Sequence, residues 1–311
     1  MSALVCLSHT PVMPFIHPAP EVESAVFAGI DSLQAYVKRF DPEVVFVFAP
    51  DHYNGFFYDL MPPFCIGMQA EAIGDYGTLA GPIRIDRELA EACARHVLAR
   101  GIDMPVSYRM RVDHGFAQPL EKICGGLGNY PVVPVFLNCV APPLGPIARI
   151  RKLGHAVGEF AASLDKRVLF IGSGGLSHNP PIPKLAGASP EVAARLIDGR
   201  NPSPQSRQER EARVIGAAKD FAAGASPLAR LNPEWDEGVL DLLAAADWER
   251  IDAFETDWVS REGGESAQEI RTWIAAFAAL GASGRYRIGQ RFYKAIPEWI
   301  AGFGIMQAES E

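Results

Sequence analysis

Apolar residues along this chain fall into two alternating rhythms. Apolar runs of strand length occupy residues 3–7, 43–49, 131–137 and 167–171, the second and fourth opening on a single charged residue. A run with no polar face suits a strand buried on both sides, as in a parallel sheet covered by helices. Between these runs, residues 20–40, 87–100 and 146–164 carry apolar positions at helical spacing. Strand-length and helix-length segments in alternation predict an α/β fold, with a mixed or parallel central sheet flanked by helices.

Beyond Pro180 the rhythm changes. Residues 179–183 and 201–206 are rich in loop-forming types, and most of 208–280 has helical spacing with many alanines. A mainly helical C-terminal half is therefore expected, packed on the sheet. No clear linker separates the halves, so residues 1–311 are read as a single α/β domain, sheet-rich over 1–180 and helix-rich over 181–311. The aromatic-rich segment 286–303 is a candidate for closing over a pocket or joining a subunit interface.

Composition narrows the function classes. A chain of 311 residues can bury a large core. Its formal charge of -8 and pI near 5.5 argue against a nucleic-acid partner, because phosphate contacts need clustered Lys and Arg. No apolar run approaches the roughly 20 residues that span a bilayer, and the N-terminus lacks a basic region followed by an apolar core. A cytoplasmic protein without a membrane partner is expected. The five cysteines are an odd number with no Cys-x-x-Cys pair, which disfavours a disulfide framework and a thiolate zinc site.

Four of the seven histidines lie in short motifs at or near the ends of apolar runs: Ser8-His9-Thr10-Pro11, Asp51-His52-Tyr53-Asn54-Gly55, Asp113-His114-Gly115 and Leu176-Ser177-His178. Loops at strand ends are where α/β enzymes place their chemistry, so the pattern points to a metal or acid/base centre assembled from several loops. His17, His96 and His155 lack this setting and read as ordinary, partly exposed residues. His9 and His52 are the best candidates for the two imidazoles of a 2-His-1-carboxylate metal site, which leaves coordination positions open for substrate and dioxygen. A metal-free acid/base pair is the alternative. Asp51 is a candidate to orient His52 or to cap the following loop, and Asp113-His114-Gly115 also reads as a simple turn. Gly172-Ser173-Gly174-Gly175 is not a dinucleotide fingerprint, since Ser177 holds the third glycine position, and it has no phosphate-loop lysine.

These motifs together resemble the type III (LigB-like) extradiol catechol dioxygenases. The resemblance rests on Ser8-His9-Thr10-Pro11, on residues 49–65 with Ala49-Pro50-Asp51-His52-Tyr53-Asn54-Gly55, on Val112-Asp113-His114-Gly115-Phe116-Ala117-Gln118-Pro119-Leu120, and on Gly172-Ser173-Gly174-Gly175-Leu176-Ser177-His178. It continues through Ile270-Arg271-Thr272-Trp273 and Ile296-Pro297-Glu298-Trp299. It implies a mononuclear iron(II) held by His9, His52 and a glutamate of the C-terminal half, assigned to Glu269, with His114 as proton donor and His178 as proton acceptor. It further implies a small-molecule catechol substrate cleaved with O2, namely 3-(2,3-dihydroxyphenyl)propionate and its cinnamate analogue, in aromatic-acid catabolism by a homo-oligomer.

Two points stay open. Ser266-Ala267-Gln268-Glu269 fits a capping box before an apolar helix at 270–280, which would employ Glu269 at the helix start and make Glu265 the rival ligand. A substrate carboxylate needs a cationic partner, and Arg109, Arg111, Arg285 and Arg291 are unranked candidates. A metal-assisted hydrolase and a small-molecule binding protein with a vestigial site are the rival function classes.

Overall fold

The computed structural model describes residues 1–311. Its strands are β1 (Ser2–Ser8), β2 (Val44–Ala49), β3 (Phe64–Gly67), β4 (Ala70–Ile73), β5 (Ala80–Pro82), β6 (Val106–Ser107), β7 (Met110–Val112), β8 (Val132–Leu137), β9 (Val168–Gly174), β10 (Tyr286–Ile296) and β11 (Ala301–Ser310). An eight-stranded sheet runs in the order β10-β11-β1-β9-β2-β8-β3-β6, and β5-β4-β7 form a small second sheet. The four apolar runs of the sequence are the central strands β1, β9, β2 and β8, and all three pairings among them are parallel. The sheet as a whole is mixed, because β11 and β3 pair antiparallel to this centre.

Burial on both faces explains the unbroken apolar runs. Leu4, Cys6, Val44, Phe46 and Phe48 feed one core cluster of 45 buried residues, while their neighbours Ala3, Val5, Leu7, Val45 and Val47 feed another of 36 on the opposite face. The second face is covered by α1 (Pro20–Phe40) and α3 (His114–Cys124), the first by α2 (Arg87–Ala99) and α4 (Ile147–Ala162) with later helices. The helical C-terminal region comprises α5 (Pro190–Asp198), α6 (Pro204–Ala222), α7 (Pro233–Ala245), α8 (Trp248–Asp252), α9 (Thr256–Gly263) and α10 (Ile270–Leu280). No helix is long and apolar enough to cross a membrane.

The segment 286–303 joins the main sheet, with β10 and β11 pairing antiparallel beside β1, and its Trp299 and Ile300 reach a pocket beside His9. One expectation needs correction: 266–269 does not form a capping box. Glu265–Glu269 is a 3₁₀ turn, Glu269 has helical φ and ψ, and no side chain caps α10.

Every residue of α10 is buried, since the helix lies between the sheet and α4. Its close approach to α4 depends on two glycines. A Cβ at Gly154 would stand 2.2 Å from the Ala275 carbonyl oxygen, and one at Gly158 would stand 2.1 Å from that of Ala279. Both obstacles are backbone atoms, which cannot rotate away. Gly158→Ala is therefore expected to destabilise the fold by about 3 kcal/mol, read as a lowered midpoint of denaturation. Stability equal to that of the parent protein would contradict this packing. The start of α10 meets the end of β9, where a Cβ at Gly174 would stand 2.5 Å from the Glu269 carbonyl oxygen, and this places Glu269 at the C-terminal end of that strand.

Candidate active site

Parallel strands all end on one edge of a sheet, so the loops after β1, β2 and β9 open onto the same place. The β1 end delivers His9, and Gln118 of α3 fixes that backbone by accepting from Thr10 N–H at 2.8 Å and donating to Thr10 C=O at 2.9 Å. The β2 end delivers His52. The loop after β9 delivers His178, whose backbone N–H donates to Gly263 C=O at 2.8 Å. Ser177, next to it, is anchored by the buried Asp236, which accepts from both its N–H and its hydroxyl at 2.6 Å.

The hydrogen-bond partners of the rings settle which nitrogens face inward. Ser173 donates its hydroxyl proton to Gly115 C=O at 2.6 Å, so it accepts from His9 Nδ1–H at 3.0 Å. Asp113 Oδ2 accepts from His52 Nδ1–H at 3.1 Å, and Leu176 C=O accepts from His178 Nδ1–H at 2.9 Å. All three rings thus present Nε2 to one carboxylate. Glu269 lies 3.3 Å from His9 Nε2, 3.0 Å from His52 Nε2 and 3.3 Å from His178 Nε2. It is wholly buried, and its Oε2 has no hydrogen-bond partner.

His114 occupies the first turn of α3, not an isolated turn, and Asp113 is the N-cap, accepting from Gly115 N–H at 2.9 Å. His114 Nδ1 lies 2.6 Å from Asp75 Oδ2, and the Tyr76 ring sits edge-on at 5.2 Å between centroids. The His114 ring stacks on that of His52 at 4.6 Å. Asp51 does not orient His52. Its carboxylate accepts from the N–H groups of Asn54, Gly55 and Phe56, capping the loop, and Asp113 takes the orienting role.

Charge follows from these contacts. Burial drives His9 down to about 3, against the pull of Glu269, which leaves a neutral ring with an available lone pair. Burial also disfavours charge on His52 and His114, but Asp113 and Glu269 outweigh it for the first, and Asp75 and Asp113 for the second, so both are raised. Glu269 is held well below the usual carboxylate range because its histidine neighbours, His178 foremost, overcome its burial penalty.

The donor set fits a first-row divalent ion. Adjacent ligands each about 2.1 Å from one ion stand about 3 Å apart, as the Nε2 atoms of His9 and His52 do from Glu269. The second carboxylate oxygen, buried and without a hydrogen-bond partner, is free to serve as a cation ligand. Nitrogens of His9, His52 and His114 also cluster closely enough to share an ion. Glu269 differs from His114 as a donor in bringing negative charge, whereas His114 is already engaged by Asp75.

The other candidates fall elsewhere. Glu265 is exposed and pairs with Lys184 at 2.8 Å. His17, His96 and His155 lie outside the cluster, the first beside Glu23 and the other two near Glu159. Arg291 is matched by Glu237 and Asp241, Arg285 is exposed, and Arg109 and Arg111 line a different groove. Asp75 and Tyr76 escaped the sequence reading because no local motif marks them.

Two joined hollows open on the histidines. The inner one is walled by Val12, Ile182, Val214, Trp299 and Ile300, with Glu269 and the four histidines also lining it. The outer one shares His52, Tyr76, His114, Ile182 and Val214 and extends to arginines of α5 and α6. A flat apolar ring is thus accommodated beside the donor atoms.

Comparison with known proteins agrees with this geometry. Residues 3–304 match the family model described as the catalytic LigB subunit of aromatic ring-opening dioxygenase. A 2,3-dihydroxyphenylpropionate/2,3-dihydroxicinnamic acid 1,2-dioxygenase of a Rhodococcus species is 56% identical over 98% of both chains. A Pseudomonas putida enzyme of the same description is 54% identical over 100% of this chain and 99% of its own. The crystal structure of an uncharacterized Escherichia coli K12 protein shares the fold, with a TM-score of 0.53 at 16% identity over 98% of both chains. The chain belongs to the LigB family of extradiol dioxygenases and is an oxidoreductase of the extradiol catechol dioxygenase type.

Proposed function

We propose that the protein is an iron(II)-dependent dioxygenase acting on 3-(2,3-dihydroxyphenyl)propionate and 2,3-dihydroxycinnamate. It cuts the ring between a hydroxyl-bearing carbon and the neighbouring carbon that carries the side chain. The observation that carries this reading is the convergence of His9 Nε2 and His52 Nε2 on the half-unpartnered carboxylate of Glu269, with two further histidines beside them. The relatives' shared description supports the choice of substrate.

In this reading His9, His52 and Glu269 hold the metal. When bound, iron(II) supplies open positions for both catechol oxygens and for dioxygen. The chain's own residues handle protons. His178 has a neutral carbonyl, Leu176 C=O, behind its Nδ1, and its hydrogen-bonded anionic neighbour is the proposed ligand Glu269. With that charge engaged by a cation, His178 is a neutral base placed to take a catechol proton. His114 keeps its own carboxylate partner, Asp75, which favours the protonated ring and suits it to donate. The apolar walls of the inner hollow exclude water from the ring.

Product analysis tests the regiochemistry. With 3-(2,3-dihydroxyphenyl)propionate the expected product is a yellow ring-opened dienoic acid whose ketone adjoins the side chain, with both atoms of dioxygen incorporated by mass. A muconate from cleavage between the two hydroxyl-bearing carbons would overturn the proposal.

A further inference from the structure

The outer hollow has a wall that is strongly basic for a chain of net charge -8. Arg195 of α5 lines it together with Arg207, Arg210 and Arg213 of α6, which recur every third residue along one side of that helix. Several arginines elsewhere are matched, as in Arg151 with Asp252, Arg167 with Asp41, Arg200 with Asp59 and Arg291 with Glu237. None of the four in the hollow forms an ion pair. Arg207 donates from Nη1 to Ile73 C=O at 3.2 Å, but the Nε atoms of Arg207 and Arg210 are buried with no partner. Glu211 shares the wall, and its carboxylate accepts from Tyr76 N–H at 3.0 Å.

Clustered cations repel one another, and a buried N–H without an acceptor is costly. Burial, then the charges of Arg210 and Arg213, pull the Arg195 pKa down, so these guanidinium groups feel each other. An anion arriving with the substrate removes both penalties, and guanidinium is the group best shaped to receive a carboxylate. The hollow also lies in the right place. Tyr76 lies between, contacting the His114 ring on one side and, through its backbone, α6 on the other, while Ile182 and Val214 line both hollows. A ring seated beside Glu269 therefore has a path for a short side chain toward α6.

We propose that Arg195, Arg207 and Arg210 form the subsite for the side-chain carboxylate of the catechol, selecting acids over neutral alkylcatechols. This rests on the reading of the inner hollow as the catechol site.

The test is anaerobic calorimetry on the iron-loaded protein, titrated with 3-(2,3-dihydroxyphenyl)propionate and, separately, with 3-propylcatechol. The acid is expected to bind about 100-fold more tightly than the neutral analogue. Arg210→Gln and Arg195→Gln, on different helices, are each expected to remove most of that advantage while leaving 3-propylcatechol affinity within about 3-fold, and Arg210→Lys to restore part of it. Equal binding of acid and neutral ligand by the parent protein would overturn the proposal. So would an advantage that survives both glutamine variants, or an equal loss for both ligands. Turnover is read separately: a binding advantage without ring-opened product would remove the dioxygenase reading and keep the anion subsite.

Discussion

Glu269→Gln is expected to fold normally and to lose iron affinity by on the order of 10²-fold or more. Glutamine keeps the shape of the side chain but offers a neutral and weaker oxygen. The surrounding rings tolerate the change in the metal-free protein. His9 is held neutral by burial, and the Nδ1 protons of His9, His52 and His178 have their own acceptors in Ser173, Asp113 and Leu176. Removing one buried anion thus leaves no orphaned donor on those nitrogens. Glu265→Gln is the control, since it breaks only the exposed pair with Lys184, and such pairs contribute little. Iron content after anaerobic loading, measured beside thermal denaturation, gives the answer. Stoichiometric iron in Glu269→Gln, with iron lost from His114→Ala, would transfer the third position to His114.

The second large effect separates metal-holding from proton-moving histidines. His9→Ala and His52→Ala are expected to lose iron and activity together. His114→Ala and His178→Ala are expected to keep iron and lose turnover by 10²-fold to 10⁴-fold, the usual range for general acid or base removal, about 3 to 5 kcal/mol of barrier. His114 is the clearer case, since Asp75 engages it at 2.6 Å; His178 stands 3.3 Å from Glu269, as His9 does, so its variant is the sharper test of the proposed division. Iron content and oxygen consumption on the same samples check both halves. Iron-free His114→Ala and His178→Ala proteins would contradict the division.

The parts of this arrangement legible in the sequence are those with a local signature. Strands β1, β2, β8 and β9 are buried on both faces and leave unbroken apolar runs, and α1, α2 and α4 leave helical spacing. Strands of two to four residues, such as β6 and β4, are too short to show any period. The β10–β11 pair was hidden differently. Its first strand is an edge strand whose residues are mostly half-exposed, and a register shift between Ile288 and Gln290 interrupts its alternation.

The site divides the same way. The histidine motifs are visible because strands end at or near them, but their partners come from far along the chain. Asp75 lies 39 residues from His114, and Glu269 lies 217 residues from His52. Asp113 was visible, yet Asp113-His114-Gly115 also reads as a simple turn. It serves His52 as well as capping α3. Arginines on α6 look like the solvated face of a polar helix until the fold sets them against Tyr76 and the hollow.

Oxygen uptake by the anaerobically iron-loaded protein on addition of 3-(2,3-dihydroxyphenyl)propionate tests the ring-cleaving assignment most directly. The expected result is consumption of one dioxygen for each catechol, with a yellow product and no uptake by the metal-free protein. Full binding of the catechol to the iron-loaded protein without oxygen consumption would contradict it.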